Sequence, residues 1–156
     1  MQELEYENLL GKSWKMNQQD CFTLVRDFYI QNFDITIPNF ARPQHWNADR
    51  LDLIKTSFPM SGFKLISEPW DDLRPADTLA MAIGSSNANH MAVYVGDNDL
   101  IHHRFGLNSC KELLRPFWRM STLYVLRHPD IPDLRPQLPE VSLEELIRAR
   151  FTRETN

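Results

Sequence analysis

The chain has 156 residues, of which 42% are hydrophobic, and carries a formal net charge of −4 at pH 7. This length and composition predict one domain that folds around a single core. The acidic balance argues against sequence-independent binding of nucleic acid or of an anionic membrane surface, because both need an excess of Lys and Arg on one face.

The N-terminal residues and the cysteine count bear on the compartment. The opening segment "MQELEYENLLGKSW" holds no basic stretch followed by an apolar run, and no segment approaches the roughly 18 apolar residues of a membrane span. We therefore expect neither a secretory signal nor a membrane segment. The two cysteines, Cys21 and Cys110, exclude a disulfide scaffold but leave one bridge between them open, and they are typical of a chain made in a reducing cytosol.

The first predicted element is a helix over residues 20–32. Its apolar residues recur at helical spacing: Cys21, Leu24, Val25, Phe28 and Tyr29. Asp20 is suited to cap the first turn, which places Cys21 at or next to the first helical position. There the helix dipole and unpaired backbone N–H groups favour a reactive thiolate and an oxyanion site. Cysteine is also among the most buried residue types, so the helix alone favours an inert thiol in the core.

The remaining elements predict an α+β fold. A short helix is expected around residues 49–57, a strand at 63–67 and a loop between Trp70 and Asp77. Further strands are predicted in the second half, bounded by Gly, Asn, Asp and Ser turns: 78–84, 90–96, 99–105 and 121–128. A helical first half followed by an antiparallel second half is typical of the α+β class.

The C-terminal segment differs from the rest of the chain. Four prolines lie between residues 129 and 139, which predicts an extended connector outside the core. A helix should follow, because Ser142 and Glu145 have capping-box spacing. Its apolar residues would share one face: Leu143, Leu146, Ile147 and Phe151. We therefore divide the chain into a domain at 1–128 and an extension at 129–156, whose helix either docks on a partner or folds back on its own domain.

Three of the five histidines lie in "NHMAVYVGDNDLIHHRFG". His90 opens one predicted strand, and His102 and His103 lie on the next. A base of this kind, held by a third polar group, is what a cysteine nucleophile requires. The alternative interpretation is structural: one of His102 and His103 faces water and the other packs in a strand, while His90 caps a loop.

The hairpin register decides whether His90 can meet His102. A two-residue turn at 97–98 would place His102 opposite Val93, on the other face from His90. Pairing symmetric about Gly96 would instead set the two histidines directly opposite each other, within about 5 Å between β-carbons. A contact between them therefore predicts a wider or bulged turn after Gly96.

A zinc site is a further alternative, because three histidines and a cysteine are proper ligands. No CxxC or HxxxH spacing supports it. Neither a metal nor an organic cofactor is therefore expected.

An Asp-Cys at a helix start, a histidine about seventy residues later and a second histidine twelve residues after the first form a specific combination. With it the chain resembles the NlpC/P60 family of papain-like cysteine peptidases. The segments "DCFTLVRDFY", "IPNFARP", "NHMAVYVGDNDLIHH" and "VLRH" are more narrowly similar to NlpC/P60 domains in tail assembly and tail-tip proteins of long-tailed phages and gene transfer agents. The resemblance covers roughly residues 5–128.

The resemblance implies a papain-like fold, in which the nucleophile's helix packs on an antiparallel sheet that carries the base. It also implies a role for each matching residue: Cys21 as nucleophile, His90 as general base and acid, and His102 as the residue that orients His90. His103 is the rival for that orienting role. Asp20 matches a residue that helps to bind a free amino group of the peptide.

Three positions depart from the family pattern. Phe22-Thr23 replaces the usual Ser-Gly, so the larger ring can narrow or reshape the cleft. Trp14 stands where a Tyr is common, and its indole N–H can donate a hydrogen bond to substrate but cannot accept one. Pro75-Ala76-Asp77 replaces Pro-Gly-Asp, which we interpret as structural.

The function implied is hydrolysis of peptidoglycan stem peptides between D-γ-glutamate and a diamino acid. The expected location is a phage-like tail tip, made in the host cytoplasm and acting at the cell wall or periplasm. Tail-tip or hub proteins would be partners, through 129–156, and neither nucleic acid nor membrane is expected as a partner. The alternatives are a structural tail component with weak or no activity, processing of a tail protein, or a related amidase or acyltransferase.

Overall fold

The computed structural model describes residues 2–40, 53–137 and 141–153. The helices in these ranges are α1 (Cys21–Phe33), α2 (Leu53–Ser57), α3 (Pro116–Ser121) and α4 (Leu143–Arg153). The strands are β1 (Lys64–Leu65), β2 (Thr78–Met81), β3 (His90–Gly96), β4 (Asp99–His102), β5 (Cys110–Leu113) and β6 (Thr122–Arg127). Together the strands form one antiparallel sheet in the order β1-β6-β2-β3-β4-β5.

This architecture confirms the α+β prediction. The strand β3 has the predicted bounds, whereas β1, β2, β4 and β6 are shorter than predicted. Of the short helix expected around 49–57, the structure contains α2, and residues 49–52 lie outside the described residues. Two elements were not predicted: β5, whose alternate residues are half-buried and exposed, and α3.

Local interactions fix both ends of α1. The Asp20 carboxylate accepts a hydrogen bond from Thr23 N at 3.0 Å, and Thr23 Oγ1 accepts one from Asp20 N at 2.7 Å. This reciprocal pair satisfies two backbone donors that a helix start leaves unpaired. Asp34 ends the helix in a left-handed conformation, with φ of 54°, which Asp tolerates better than most residues. The predicted cap at Asp20 is therefore confirmed.

The helix α1 covers one face of the sheet. Val25, Phe28 and Tyr29 are fully buried in the same cluster as Met91 and Val93 of β3. The Tyr29 hydroxyl donates a hydrogen bond to the Ala76 carbonyl at 2.6 Å and forms another with Thr78 Oγ1 at 2.7 Å. These contacts hold α1 against the sheet.

The opposite face has its own core. Leu79, Ala92 and Leu100 face a second buried cluster that includes Trp118 of α3. Consecutive residues of a strand point to opposite faces. Because Ala92 lies in the second cluster and Met91 in the first, His90 lies on the α3 side of β3 by this alternation.

The hairpin between β3 and β4 combines two features that the sequence presented as alternatives. Gly96 pairs with Asp99 across a two-residue turn at 97–98, whose residues have φ of 51° and 63°. A bulge between Tyr94 and Gly96 then shifts the register by one residue.

The bulge decides which face His102 occupies. It sets His102 opposite Ala92 rather than Val93, so His90 and His102 share a face as diagonal neighbours. Such neighbours are within reach of long side chains. The predicted directly opposed pair is therefore wrong, although the shared face is correct.

The segment Pro75-Ala76-Asp77 is structural, as predicted. Asp77 is 1% exposed and makes two hydrogen bonds with Arg127, both at 2.8 Å. A bidentate ion pair of this kind fixes the relative orientation of the two side chains and also pairs their charges. It joins the loop before β2 to the end of β6.

The first part of the C-terminal segment packs on the domain. Leu134 is 8% exposed, and Arg135 forms an ion pair of 2.9 Å with Asp72. The helix α4 is different, because residues 141–150 are all exposed. Its capping box is present, with Ser142 N donating to Glu145 at 2.8 Å and Glu145 N donating to Ser142 Oγ at 3.2 Å. The division at residues 128/129 stays a prediction.

Two general expectations can be compared with the described part of the chain. Cys21 and Cys110 are both free thiols, so the bridge that the sequence left open does not form. None of the helices described is both long enough and apolar enough to cross a bilayer.

Candidate active site

Cys21 is the first residue of α1 and is 8% exposed. It belongs to the same buried cluster as Met91 and Val93 of β3. The capping of Asp20 holds the first turn in place and therefore fixes where Cys21 lies. Its position at a helix start gives the sulfur the positive end of the helix dipole.

His90 and His102 form a direct pair. His90 Nε2 lies 2.9 Å from His102 Nδ1, and the ring centroids are 5.1 Å apart. Both are buried, at 7% and 0% exposure. Trp118 packs at right angles to the His102 ring, with centroids 4.8 Å apart, and closes this side of the pair. The structure thus brings together the two histidines that the sequence singled out.

Glu112 extends the pair to a chain of three residues. One of its carboxylate oxygens forms a hydrogen bond with His102 Nε2. Arg104 Nε lies 3.9 Å from the same oxygen and keeps a positive charge beside it. Glu112 is on β5, which was not predicted, so the sequence reasoning missed this residue. The signal available was the alternation of "CKEL", which puts Cys110 and Glu112 on one face of the strand.

The chain of hydrogen bonds fixes where the ring protons lie. A carboxylate can only accept, so His102 Nε2 carries the proton that it donates to Glu112. Burial lowers the pKa of His102, although the hydrogen bond and the charge of Glu112 act in the opposite direction. The His102 ring is therefore neutral near neutral pH. Its Nδ1 is then an acceptor, and His90 Nε2 must donate to it. Neutral His90 consequently has its lone pair on Nδ1, the atom required of a general base.

The electrostatics of His90 support the same state. Burial first, and the neighbouring His102 second, lower the pKa of His90 from 6.5 to about 3. The ring is therefore uncharged near neutral pH. Cys21 belongs to the cluster on the α1 side of the sheet, whereas alternation puts His90 on the α3 side, so their pairing in catalysis stays a prediction.

His103 points away from this chain of residues. It follows His102, so alternation puts it on the α1 side with Ile101, a member of the first cluster. It is 2% exposed, and among the described residues its Nε2 has no hydrogen-bond partner. The structure thus pairs His90 with His102 and not with its rival.

Asp20 and Trp14 lie near the entrance to α1. The Asp20 carboxylate accepts hydrogen bonds from Asn17 N at 2.9 Å and from Thr23 N. These two backbone donors use part of the carboxylate's capacity to accept hydrogen bonds. Trp14 is half-buried and packs on Phe105, with ring centroids 4.4 Å apart. Contact of either residue with a substrate stays a prediction.

Phe22 points into the core and follows Cys21 in the chain. It is 3% exposed and packs edge-on against Phe58, with centroids 6.0 Å apart. It also lines an apolar pocket with Phe40, Leu53, Ile54, Thr56, Ser57 and Met60. The ring that replaces the family's small residue thus forms a wall of this pocket.

Comparison with known proteins gives the family of the chain. The model of the NlpC/P60 family matches residues 8–127, a range that contains Cys21, His90, His102 and Glu112. The chain resembles tail tip assembly protein K of Escherichia phage lambda, with 32% identity over 121 residues, 78% of this chain and 59% of the phage protein.

A second phage protein gives the same result at lower identity. Tail tip assembly protein K of Escherichia phage N15 is 22% identical over 125 residues, 79% of this chain and 50% of that protein. The chain spans between half and three fifths of the length of these curated relatives.

Solved structures share the fold. The NlpC/p60 domain of the peptidoglycan hydrolase SagA superposes with a TM-score of 0.50 and 16% identity, over 77% of this chain and 90% of that domain. A lipoprotein-like NLP/P60 protein of Staphylococcus aureus gives a TM-score of 0.50 and 15% identity, over 77% of this chain and 37% of that one.

Proposed function

The chain belongs to the NlpC/P60 family, and we propose that it is a cysteine peptidase that hydrolyses peptidoglycan stem peptides. The observation that carries this proposal is the chain of hydrogen bonds from Glu112 through His102 to His90. A buried neutral histidine that is oriented by a second polar side chain, itself held by a carboxylate, is what a thiol nucleophile needs as a base. The bond proposed is that between D-γ-glutamate and a diamino acid.

The first step is acylation of Cys21. His90 Nδ1 accepts the thiol proton, and the thiolate attacks the amide carbonyl carbon of the peptide. Backbone N–H groups in the first turn of α1 stabilise the oxyanion, with the helix dipole adding to the effect. His90 then donates its proton to the leaving amine, and a thioester joins the peptide's acyl group to Cys21.

The second step is hydrolysis of the thioester. His90 Nδ1 takes a proton from water, the hydroxide adds to the thioester carbonyl, and the Cys21 sulfur leaves and takes this proton back from His90. His102 holds the His90 ring in one orientation through both steps, and Glu112 holds His102. These two residues act by positioning the base, and neither needs to exchange a proton with the substrate. Asp20 and Trp14 are proposed to contact the peptide near the nucleophile.

The place of action is proposed to be the tip of a phage-like tail. Both curated relatives are tail tip assembly proteins. A peptidase there would open the cell wall locally during genome delivery. Residues 129–156 are proposed to attach the domain to tail-tip or hub proteins, because α4 exposes Leu143 by 73% and Leu146 by 57%.

A second candidate function is structural, and the same helix favours it. An apolar face on an exposed helix serves assembly and has no use in peptide hydrolysis. In this case the chain would be a tail component with weak or no activity. The two candidates differ in what they expect of Cys21.

The experiment that tests the proposal is mass spectrometry of purified muropeptides after incubation with the parent protein, with Cys21→Ala and with His90→Ala. The parent should produce fragments with a free γ-glutamyl carboxyl end, and both variants should not. Met120→Ala is the surface control, since Met120 is 85% exposed, and it should act like the parent. Equal cleavage by Cys21→Ala would contradict the proposal, and no cleavage by any form would favour the structural function.

A further inference from the structure

The face of the sheet next to His102 collects three different metal-ligating side chains. His102 pairs directly with Cys110 across β4 and β5, and Glu112 lies two residues further along β5 on the same face. One ligand atom from each of the three residues lies within 4.8 Å of the other two. Cys110 has no part in the proposed peptidase chemistry.

We propose that His102 Nε2, Cys110 Sγ and a Glu112 carboxylate oxygen together bind one Zn²⁺ ion. Imidazole, thiolate and carboxylate are the three ligand types that this ion takes, at about 2.0–2.3 Å. Those bond lengths put neighbouring ligand atoms of a tetrahedron roughly 3–4 Å apart. Cys110 Sγ lies 4.0 Å from the Glu112 oxygen, which is close to that spacing, whereas His102 Nε2 and Glu112, now joined by a hydrogen bond, must move apart to admit the ion.

The surroundings favour an ion of this kind. A thiolate and an imidazole select a borderline-soft metal over Mg²⁺ or Ca²⁺, which prefer oxygen ligands. The Glu112 side chain is 24% exposed and Cys110 is half-buried, which gives the ion a path from solvent and leaves a fourth position for water. The Arg104 side chain, whose Nε lies 3.9 Å from the Glu112 carboxylate, competes with the metal ion for this carboxylate. It must move away from Glu112 when the ion binds.

The protons balance as follows on binding. The Cys110 thiol loses its proton to solvent and becomes the thiolate ligand. A cysteine thiol is ordinarily protonated near neutral pH, so the ion displaces this proton when it binds. The ion takes the lone pair of His102 Nε2, and the ring proton of His102 moves to Nδ1.

This change reverses the hydrogen bond to His90. His102 Nδ1 would donate to His90 Nε2, and the proton of His90 would move to Nδ1. The atom that must accept the proton of Cys21 would then have no lone pair. Zinc at this site would therefore switch the peptidase off, a consequence that rests on the proposed function, whereas the binding itself does not.

The test is a titration of the full-length protein with Co²⁺, which occupies zinc sites and absorbs in the near ultraviolet when a thiolate is bound. One equivalent of Co²⁺ should give the thiolate absorption in the parent protein and in Cys21→Ser, and Cys110→Ser should lose it. Zn²⁺ should displace the cobalt. Glu112→Gln should weaken Zn²⁺ binding by at least the roughly 10–100-fold that outer-shell changes cost.

The two cysteines make the outcome decisive. Absorption that persists in Cys110→Ser and vanishes in Cys21→Ser would place the thiolate at Cys21 and overturn the site. Absence of a thiolate band in the parent would also overturn it. Cys110 is partly exposed and its replacement by Ser changes one atom, so folding of the variant, checked by thermal unfolding, should be kept.

Discussion

His90 Nε2 and His102 Nδ1 lie 2.9 Å apart although the two residues are twelve positions apart and are not paired in the sheet. The bulge before Gly96 allows this contact, because it shifts the register so that the His102 side chain lies on the same face of the sheet as His90. The contact gives His102 a positioning role that can be separated from the role of its neighbour.

We expect His102→Gln to lower kcat by about 10²–10⁴, the range that a misplaced general base costs. His103→Gln should change kcat by less than about tenfold, because His103 lies on the other face of β4. The measurement is the rate of stem-peptide cleavage by each variant, with melting temperatures to check folding. An equal loss in the two variants would mean that the hydrogen bond to His90 does not position the base.

Glu112 should act on catalysis through the tautomer of His102. Glu112→Leu removes the acceptor and should lower kcat by roughly tenfold or more, about 1.4 kcal/mol or above. Glu112→Gln keeps an acceptor oxygen and should lose less. Lys111→Gln, on the same strand and the opposite face, is the control.

The pH profile separates positioning by Glu112 from support of the fold. Loss of Glu112 should shift the pH dependence of kcat/KM, because its charge favours a protonated His102. An unchanged profile together with a reduced melting temperature would assign Glu112 a structural role alone.

The buried His90 should make the protein less stable in acid. Its pKa is about 3 in the fold, against 6.5 when unperturbed, so the unfolded chain binds more protons between these values. The free energy of unfolding should therefore fall as the pH drops from about 6.5 towards 3 and level off below.

Urea unfolding of the parent and of His90→Gln between pH 4 and pH 8 tests this contribution. The variant should show a shallower slope, but some slope should remain, since burial also lowers the pKa values of His102 and His103. Identical slopes for the two proteins would show that His90 does not titrate as described.

The helix α4 should be dispensable for folding and needed for attachment. Removal of residues 141–156 should change the free energy of unfolding by less than about 0.5 kcal/mol, because the side chains of 141–150 are exposed. Association with tail-tip proteins should be lost, and Leu146→Asp should have the same effect, with Glu144→Gln as the control. A large loss of stability on truncation would support a helix that folds back on its own domain.

Some of this molecule could be predicted from its sequence because the signals are local. Helical spacing and the cap at Asp20 indicate α1, and an apolar run that ends at a Gly-Asp-Asn turn indicates β3. The register of the hairpin could not be predicted, because a bulge of one residue at 95 reverses every face beyond it. Glu112 was missed for a related reason: β5 is an edge strand rich in polar residues, and its partner His102 is known only once β4 and β5 are paired.

The central claim is that Cys21 is the nucleophile, and the most direct test is capture of the acyl-enzyme. The protein is mixed with a stem peptide, quenched in acid within one turnover and digested for mass spectrometry. The account predicts a thioester adduct, with the mass of the peptide's acyl part, on the fragment that contains Cys21. An adduct on the fragment with Cys110, or release of products by Cys21→Ala at the parental rate, would contradict it.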